Sequence, residues 1–185
     1  EGRGSEVIKS FADTLPKFNA DKSQITDVSC DMSPAFIKGI RDNLPNAKIT
    51  FDKFHIIKII NEAVDEIRRI EAKDNPILKN SRYIFLKNEN NLTAQERNKK
   101  HELMNMENMN LKSMKALQIR ENFQQIYQTK TREEFISWFK KWYLWVMQTG
   151  LEPMQKAADT IRRHWKGVVA WKESQINNGL LEGDR

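Results

Sequence analysis

The sequence predicts an α/β fold with a large all-helical stretch set into it. Three observations support this. The chain up to Ala72 alternates helical and strand patterns, no strand pattern occurs between Asp74-Asn75-Pro76 and about Ser174, and both early strand patterns end in an aspartate. Alternation of this kind suggests a layer of parallel strands covered by helices.

Residues 6–15 place Val7, Ile8, Phe11 and Leu15 on one helical face, and Pro16 ends the helix. Residues 25–30 carry β-branched side chains at Ile25, Thr26 and Val28, which favours a short strand. Ser33-Pro34 reads as an N-cap followed by proline at the first helical position, where its missing N–H costs nothing. The helix that follows uses Phe36, Ile37, Ile40 and Leu44, and Pro45 closes it. Residues 47–51 form the second strand and residues 54–72 a long helix. In that helix Ile56, Ile59, Ile60, Ala63, Val64 and Ile67 make the apolar stripe, and Asp65, Glu66, Arg68 and Arg69 are expected to face outward.

Beyond Pro76 the texture is helical. Thr93-Ala94-Gln95-Glu96 and Thr131-Arg132-Glu133-Glu134 are capping boxes, residues 111–128 and 131–148 are strongly periodic, and Gly150 with Pro153 marks a turn. Trp138, Trp142 and Trp145 recur on one helical face, which reads as core packing, with base stacking beside Lys140 and Lys141 as the functional alternative. No internal repeat or low-complexity tract interrupts the chain.

At 185 residues the chain is long enough for one well-buried domain. Hydrophobic residues make up 39% and charged residues 30%, the balance of an ordinary globular protein. No apolar run approaches the roughly 20 residues needed to span a bilayer, and no secretory signal opens the chain. Cys30 is the single cysteine, which excludes an internal disulfide and any multi-cysteine zinc site, so a reduced cytoplasmic setting is expected. Lys plus Arg number 31 against 25 Asp plus Glu, a net charge of +6 that favours polyanionic partners, nucleic acid foremost.

Asp31 follows the first strand and Asp52 the second, so both stand at the carboxyl edge where open α/β sheets bind ligands. Each also suits an ordinary strand-to-helix turn, and Asp52 suits a helix cap. His55 falls in the first turn of the helix after Asp52, and Glu182 follows Asn178-Gly179, read as a helix-opening pair. The sequence His101-Glu102-Leu103-Met104-Asn105 begins like a zinc-protease motif but lacks the second His, and is rejected as a metal site. The methionines Met104, Met106, Met109 and Met114 are read as core filling. Arg162-Arg163-His164 and Lys166 are candidates for phosphate contacts, with a solvated helix face as the alternative.

Three ordered motifs carry a family resemblance. Val28-Ser29-Cys30-Asp31-Met32 matches V-x-x-D-M, Asp52-Lys53-Phe54-His55 matches D-[RK]-F-H, and Asn178-Gly179-Leu180-Leu181-Glu182-Gly183 matches N-G-x-x-E-G. Together they resemble the DDE transposases of the ISL3 family of bacterial insertion sequences. The resemblance implies an RNase H-like core with residues 1–75 as its first part, residues 76–174 as a helical insertion, and residues 175–185 as a truncated terminal helix carrying the last acid. It implies Mg²⁺-dependent cleavage and strand transfer at transposon ends, with Asp31 and Glu182 as catalytic acids and ligands to two Mg²⁺ ions. Asp52 and His55 then form a secondary motif, and Lys53, Arg162, Arg163 and Lys166 contact DNA.

Transposon-end and target DNA would be the partners, with a homo-oligomer as the working assembly and the bacterial nucleoid as the setting. The first acid of the triad is expected before Glu1, in a longer polypeptide, which would leave this chain alone inactive. Arg185 stands where the family usually has Asn. The alternative reading is a catalytically silent remnant that serves as a DNA-binding or protein-interaction module.

Overall fold

The computed structural model describes residues 3–108 and 110–183. Among these the chain is mostly helical with one parallel two-stranded sheet, an α/β arrangement. It divides into two compact units, Glu1–Ile56 with Arg163–Arg185, and Ile57–Arg162.

The first unit begins with α1 (Arg3–Thr14), followed by β1 (Asp27–Cys30), α2 (Pro34–Asn43) and β2 (Lys48–Phe51), and it closes with α9 (Trp165–Gly183). The strands pair in parallel with Asp27 opposite Lys48, Val28 opposite Ile49, Ser29 opposite Thr50 and Cys30 opposite Phe51. α2 supplies the crossover that parallel strands require. Val28, Cys30 and Ile49 pack on Ala12 of α1 and on Ile40 and Leu44, forming the small core of this unit. α1 and α2 approach closely because Gly39 has no side chain. A Cβ there would lie 2.9 Å from the Ser5 Cα.

α9 packs along β2. The Lys48 N–H donates to the Thr26 carbonyl at 2.8 Å, so Lys48 turns its backbone groups toward β1 and Ile49 turns its own away. A Cβ on Gly167 would sit 3.2 Å from that outward Ile49 carbonyl and would overlap the Phe51 ring. The first turns of α9 therefore cover the outer edge of β2, and only glycine fits at the contact. Lys48 and Glu173 add an ion pair at 3.6 Å. Asn178 and Gly179 lie inside α9 rather than opening a helix, a correction to the sequence reading. A helix already nucleated on β2 gains a hydrogen bond with each added residue, which outweighs the local cost of one glycine.

The second unit takes the greater part of α3 (Lys53–Glu71), then α4 (Arg82–Leu86), α5 (Ala94–Leu103), α6 (Lys112–Ile126), α7 (Arg132–Gln148) and α8 (Glu152–Arg163). α3 buries the expected stripe, but Arg68 is buried rather than outward-facing. Its guanidinium donates to Asp65 Oδ1 from Nε at 3.0 Å and Nη2 at 2.8 Å, and this pairing is what permits burial. The start of α6 is capped from a distance: Glu71 accepts the Lys112 and Ser113 backbone N–H groups at 2.8 and 2.9 Å and the Ser113 hydroxyl at 2.7 Å.

Both predicted capping residues act as such. Thr93 and Glu96 form the reciprocal box, whereas Thr131 accepts from Glu134 N–H while the Glu134 carboxylate takes the Lys130 N–H at 3.1 Å. The buried face of α7 is Phe135, Phe139, Trp142 and Val146. The tryptophan face expected from the sequence is thus rotated: Trp142 is buried, Trp145 half-buried and Trp138 54% exposed. Phenylalanine decides the rotation, because Phe135 meets Tyr127 edge-on, and Phe123 meets both Phe139 and Trp142. The Trp142 indole N–H donates to the Ile119 carbonyl at 3.0 Å, which fixes α7 on α6.

Gly167→Ala is expected to lower the unfolding free energy by about 1–3 kcal/mol through overpacking against Phe51. Urea denaturation reads this directly. Adding Phe51→Leu should recover part of the loss if the ring is the obstacle.

Candidate active site

Cys30 and Phe51 are the last paired residues of the parallel ladder. Asp31 and Asp52 come one residue later on each strand, so the register brings them side by side at the carboxyl edge, on strands about 4.8 Å apart. Both are half-buried.

Each carboxylate also starts a helix. Asp31 Oδ1 accepts the Ser33 N–H at 2.9 Å, ahead of α2. Ser33 occupies the N-cap position, as its sequence suggests, but its own hydroxyl makes no cap bond. Asp52 Oδ1 accepts the Phe54 N–H at 2.7 Å at the head of α3, and its carbonyl accepts the His55 N–H at 3.1 Å. Among the described residues neither Oδ2 has a hydrogen-bond partner, so each acid keeps one oxygen for a further ligand.

Around this edge lie several basic and aromatic groups of the same unit. Lys53 is half-buried in the first turn of α3, and Phe54 (78% exposed) and His55 are open to solvent. The His164 ring meets Phe51 edge-on with centroids 5.4 Å apart, which places the start of α9 beside the strand end that leads into Asp52. Arg163 and Lys166 flank His164 and are exposed. Lys172 was not singled out from the sequence and is buried. Burial, then the charge of Lys53, depresses its ammonium below the usual lysine range. A lysine in a largely apolar stretch gives no sequence signal of this. Cys30, next to Asp31, has its thiol pushed up to about 11 by burial and then by the Asp31 charge, so it is protonated and unreactive at neutral pH.

Arg162 belongs to the other unit, where it pairs with Asp159 at 3.5 Å and lies over the Tyr143 ring at 5.6 Å. The Glu182 backbone is part of α9, and its side chain lies outside the described residues. Among the described residues no group of three His, Cys, Asp or Glu side chains converges on a metal position. The Asp31–Asp52 pair by itself suits a hard cation such as Mg²⁺, which takes one or two protein carboxylates and fills its remaining positions with water and phosphate oxygens.

A parallel strand pair that presents acids at its carboxyl edge, flanked by lysine and arginine, is joined here to a match with proteins of DNA transposition. The family model for ISL3 transposases, described as Transposase, matches residues 1–184. The chain belongs to the ISL3 transposase family. The transposase for insertion sequence element IS1001 of Bordetella parapertussis is 26% identical over 190 residues, covering 98% of this chain and 46% of that protein. The chain thus spans about half the length of the curated relative it matches. No solved structure matches it. No helix among the described residues is long and apolar enough to cross a membrane.

The capping role of the two acids separates from their charge. Asp52→Ala, which removes the acceptor at the head of α3, is expected to cost about 1 kcal/mol of stability. Asp31→Ala, which removes only the bond to the Ser33 N–H ahead of α2, should cost less than that, and the Asn variants, which keep these bonds, only a few tenths. Urea midpoints of the four variants check this.

Proposed function

We propose that this chain is part of the catalytic region of a DDE transposase that cleaves transposon-end DNA and transfers the strand to target DNA. The observation that carries the reading is the pairing of Cys30 with Phe51, which sets Asp31 and Asp52 together at one sheet edge in a chain matched almost throughout by a transposase family. In this reading residues 1–75 are the first part of an RNase H-like core, 76–174 a helical insertion, and 175–185 the last core segment.

Asp31 and Glu182 would hold the metal. The chemistry that two Mg²⁺ ions would supply there is activation of a water or 3′-hydroxyl and stabilisation of charge on the attacking and leaving oxygens of a phosphodiester. Asp31 presents Oδ2 while its Oδ1 is tied to the backbone of α2, so the carboxylate is held in place before substrate arrives. Asp52 fixes the head of α3, and with it Lys53 and His55, against the scissile phosphate. Arg163 and Lys166 neutralise phosphates at the start of α9, and Arg162 does so from α8. The protein works on nucleoid DNA in the bacterial cytoplasm, as a homo-oligomer that holds both transposon ends.

A second reading keeps the DNA contacts without the chemistry. The excess of Lys and Arg, 31 against 25 acids, supports it, because binding phosphate needs only the basic groups.

In the full-length protein, Asp31→Asn and Glu182→Gln are each expected to reduce Mg²⁺-dependent cleavage of a transposon-end duplex more than about 100-fold while leaving duplex affinity intact. EDTA should abolish cleavage and added Mg²⁺ restore it. Undiminished cleavage by Asp31→Asn would overturn the assignment. Binding without cleavage in the parent protein would favour the second reading.

A further inference from the structure

Asp65 of α3 gathers more positive charge than one carboxylate can neutralise. It is largely buried and pairs with three arginines. Oδ1 takes both bonds from the buried Arg68, which closes that pair. Oδ2 is left to Arg69 Nε at 3.5 Å, in the last turn of α3, and to Arg82 Nε at 3.7 Å, at the first residue of α4. These two contacts are ion pairs without a hydrogen bond, and among the described residues neither arginine makes a hydrogen bond elsewhere. Their side chains are 65% and 60% exposed, so two guanidinium groups with unspent donors are drawn to one oxygen at the surface.

Three cations on one anion leave two positive charges uncompensated, and their mutual repulsion favours a further anion. We propose that Arg69 and Arg82 form a clamp for a backbone phosphate of DNA, with Asp65 as the positioning residue that holds the two side chains together. The inference rests on the DNA-processing reading above and adds a backbone contact carried by the second unit.

The neighbouring chain keeps this surface basic. Between Arg69 and Arg82 lie Lys73 and Lys79 with the acids Glu71 and Asp74, and Glu71 is already spent on the start of α6. Lys99 Nζ donates to the Lys79 carbonyl at 2.8 Å, which adds an ammonium beside the turn leading into α4. Glu62 and Glu66, the other nearby acids of α3, are exposed and form no ion pair with Arg69 or Arg82 among the described residues. Arginine suits this task because its planar fork matches a pair of phosphate oxygens, which a lysine cannot do. An acidic peptide would satisfy the same charge, but a chain of a transposase family meets phosphodiesters as its substrate class.

The test follows duplex binding by the full-length protein against salt concentration, by fluorescence anisotropy. The duplex has arbitrary sequence, since a phosphate contact carries no base information. Arg69→Gln combined with Arg82→Gln is expected to weaken binding roughly tenfold and to reduce the salt slope by about one. Both side chains are exposed, so the urea midpoint should stay close to that of the wild type. Arg69→Lys combined with Arg82→Lys keeps the charge without the fork, and should keep the slope while losing part of the affinity. Lys17→Gln combined with Arg41→Gln removes the same charge from exposed positions of the first unit and should weaken binding far less. Unchanged binding by the Arg69→Gln, Arg82→Gln protein, or an equal loss in the charge-matched control, would overturn the clamp and leave the DNA reading intact. A loss accompanied by a large fall in urea midpoint would make the arginines structural and overturn it too. Failure of the wild type to bind duplex at any salt would overturn both.

Discussion

The parallel register that sets Cys30 opposite Phe51 is the constraint on which the candidate site depends. Strand side chains alternate between faces, so a slip of one residue would send Val28, Cys30 and Ile49 away from Ala12, Ile40 and Leu44 and empty the core of the unit. The core therefore enforces the register, and the register brings Asp31 level with Asp52. A two-stranded sheet is marginal alone. Here α1 and α2 pack on it, and α9 covers the outer edge of β2, with Gly167 admitting the Phe51 ring.

The same two aspartates link folding to chemistry. Each strand passes at once into a helix, and the exposed N–H groups at a helix start need an acceptor. Asp31 and Asp52 supply it with one oxygen each. The partial positive charge at the starts of α2 and α3 offsets repulsion between neighbouring carboxylates. The bond also restricts each side chain to a narrow set of rotamers and leaves its second oxygen without a hydrogen-bond partner among the described residues. A helix cap and a pre-positioned ligand call for the same geometry, so neither role excludes the other.

Much of this was legible in the sequence, because apolar periodicity and cap chemistry are local signals. β1 and β2 lie within the predicted strands, and α2, α3, α6 and α7 start or stop within a residue or two of their expected ends. What escaped depends on partners distant in the chain. Arg68 reads as a surface residue until Asp65 is seen to satisfy it, and the α7 face turns because Phe135 and Phe139 find aromatic partners on and just beyond α6. Helix periodicity alone cannot choose between the Trp138–Trp142–Trp145 stripe and the Phe135–Phe139–Trp142 stripe, since both contain Trp142. For the site, the strand-end placement of each acid was visible, but their adjacency required the register, and the burial of Lys172 required α9 to be docked on β2.

Charge is placed differently in the two units. In the first unit both signs meet at one end: acids on the strand tips, and Lys53 close enough to Lys172 for its charge to be felt there. A buried ammonium beside a second cation is unfavourable unless anions lie nearby. In the second unit Lys141 of α7 stands over the Trp138 ring, and Arg162 is shared between Asp159 and Tyr143. Mixed charge at a sheet edge suits the bond-breaking step, which needs carboxylates to hold metal and cations to hold phosphate. In the proposed reading the sheet edge of the first unit would carry the reaction, and the excess of Lys and Arg over the chain, 31 against 25 acids, would serve DNA binding.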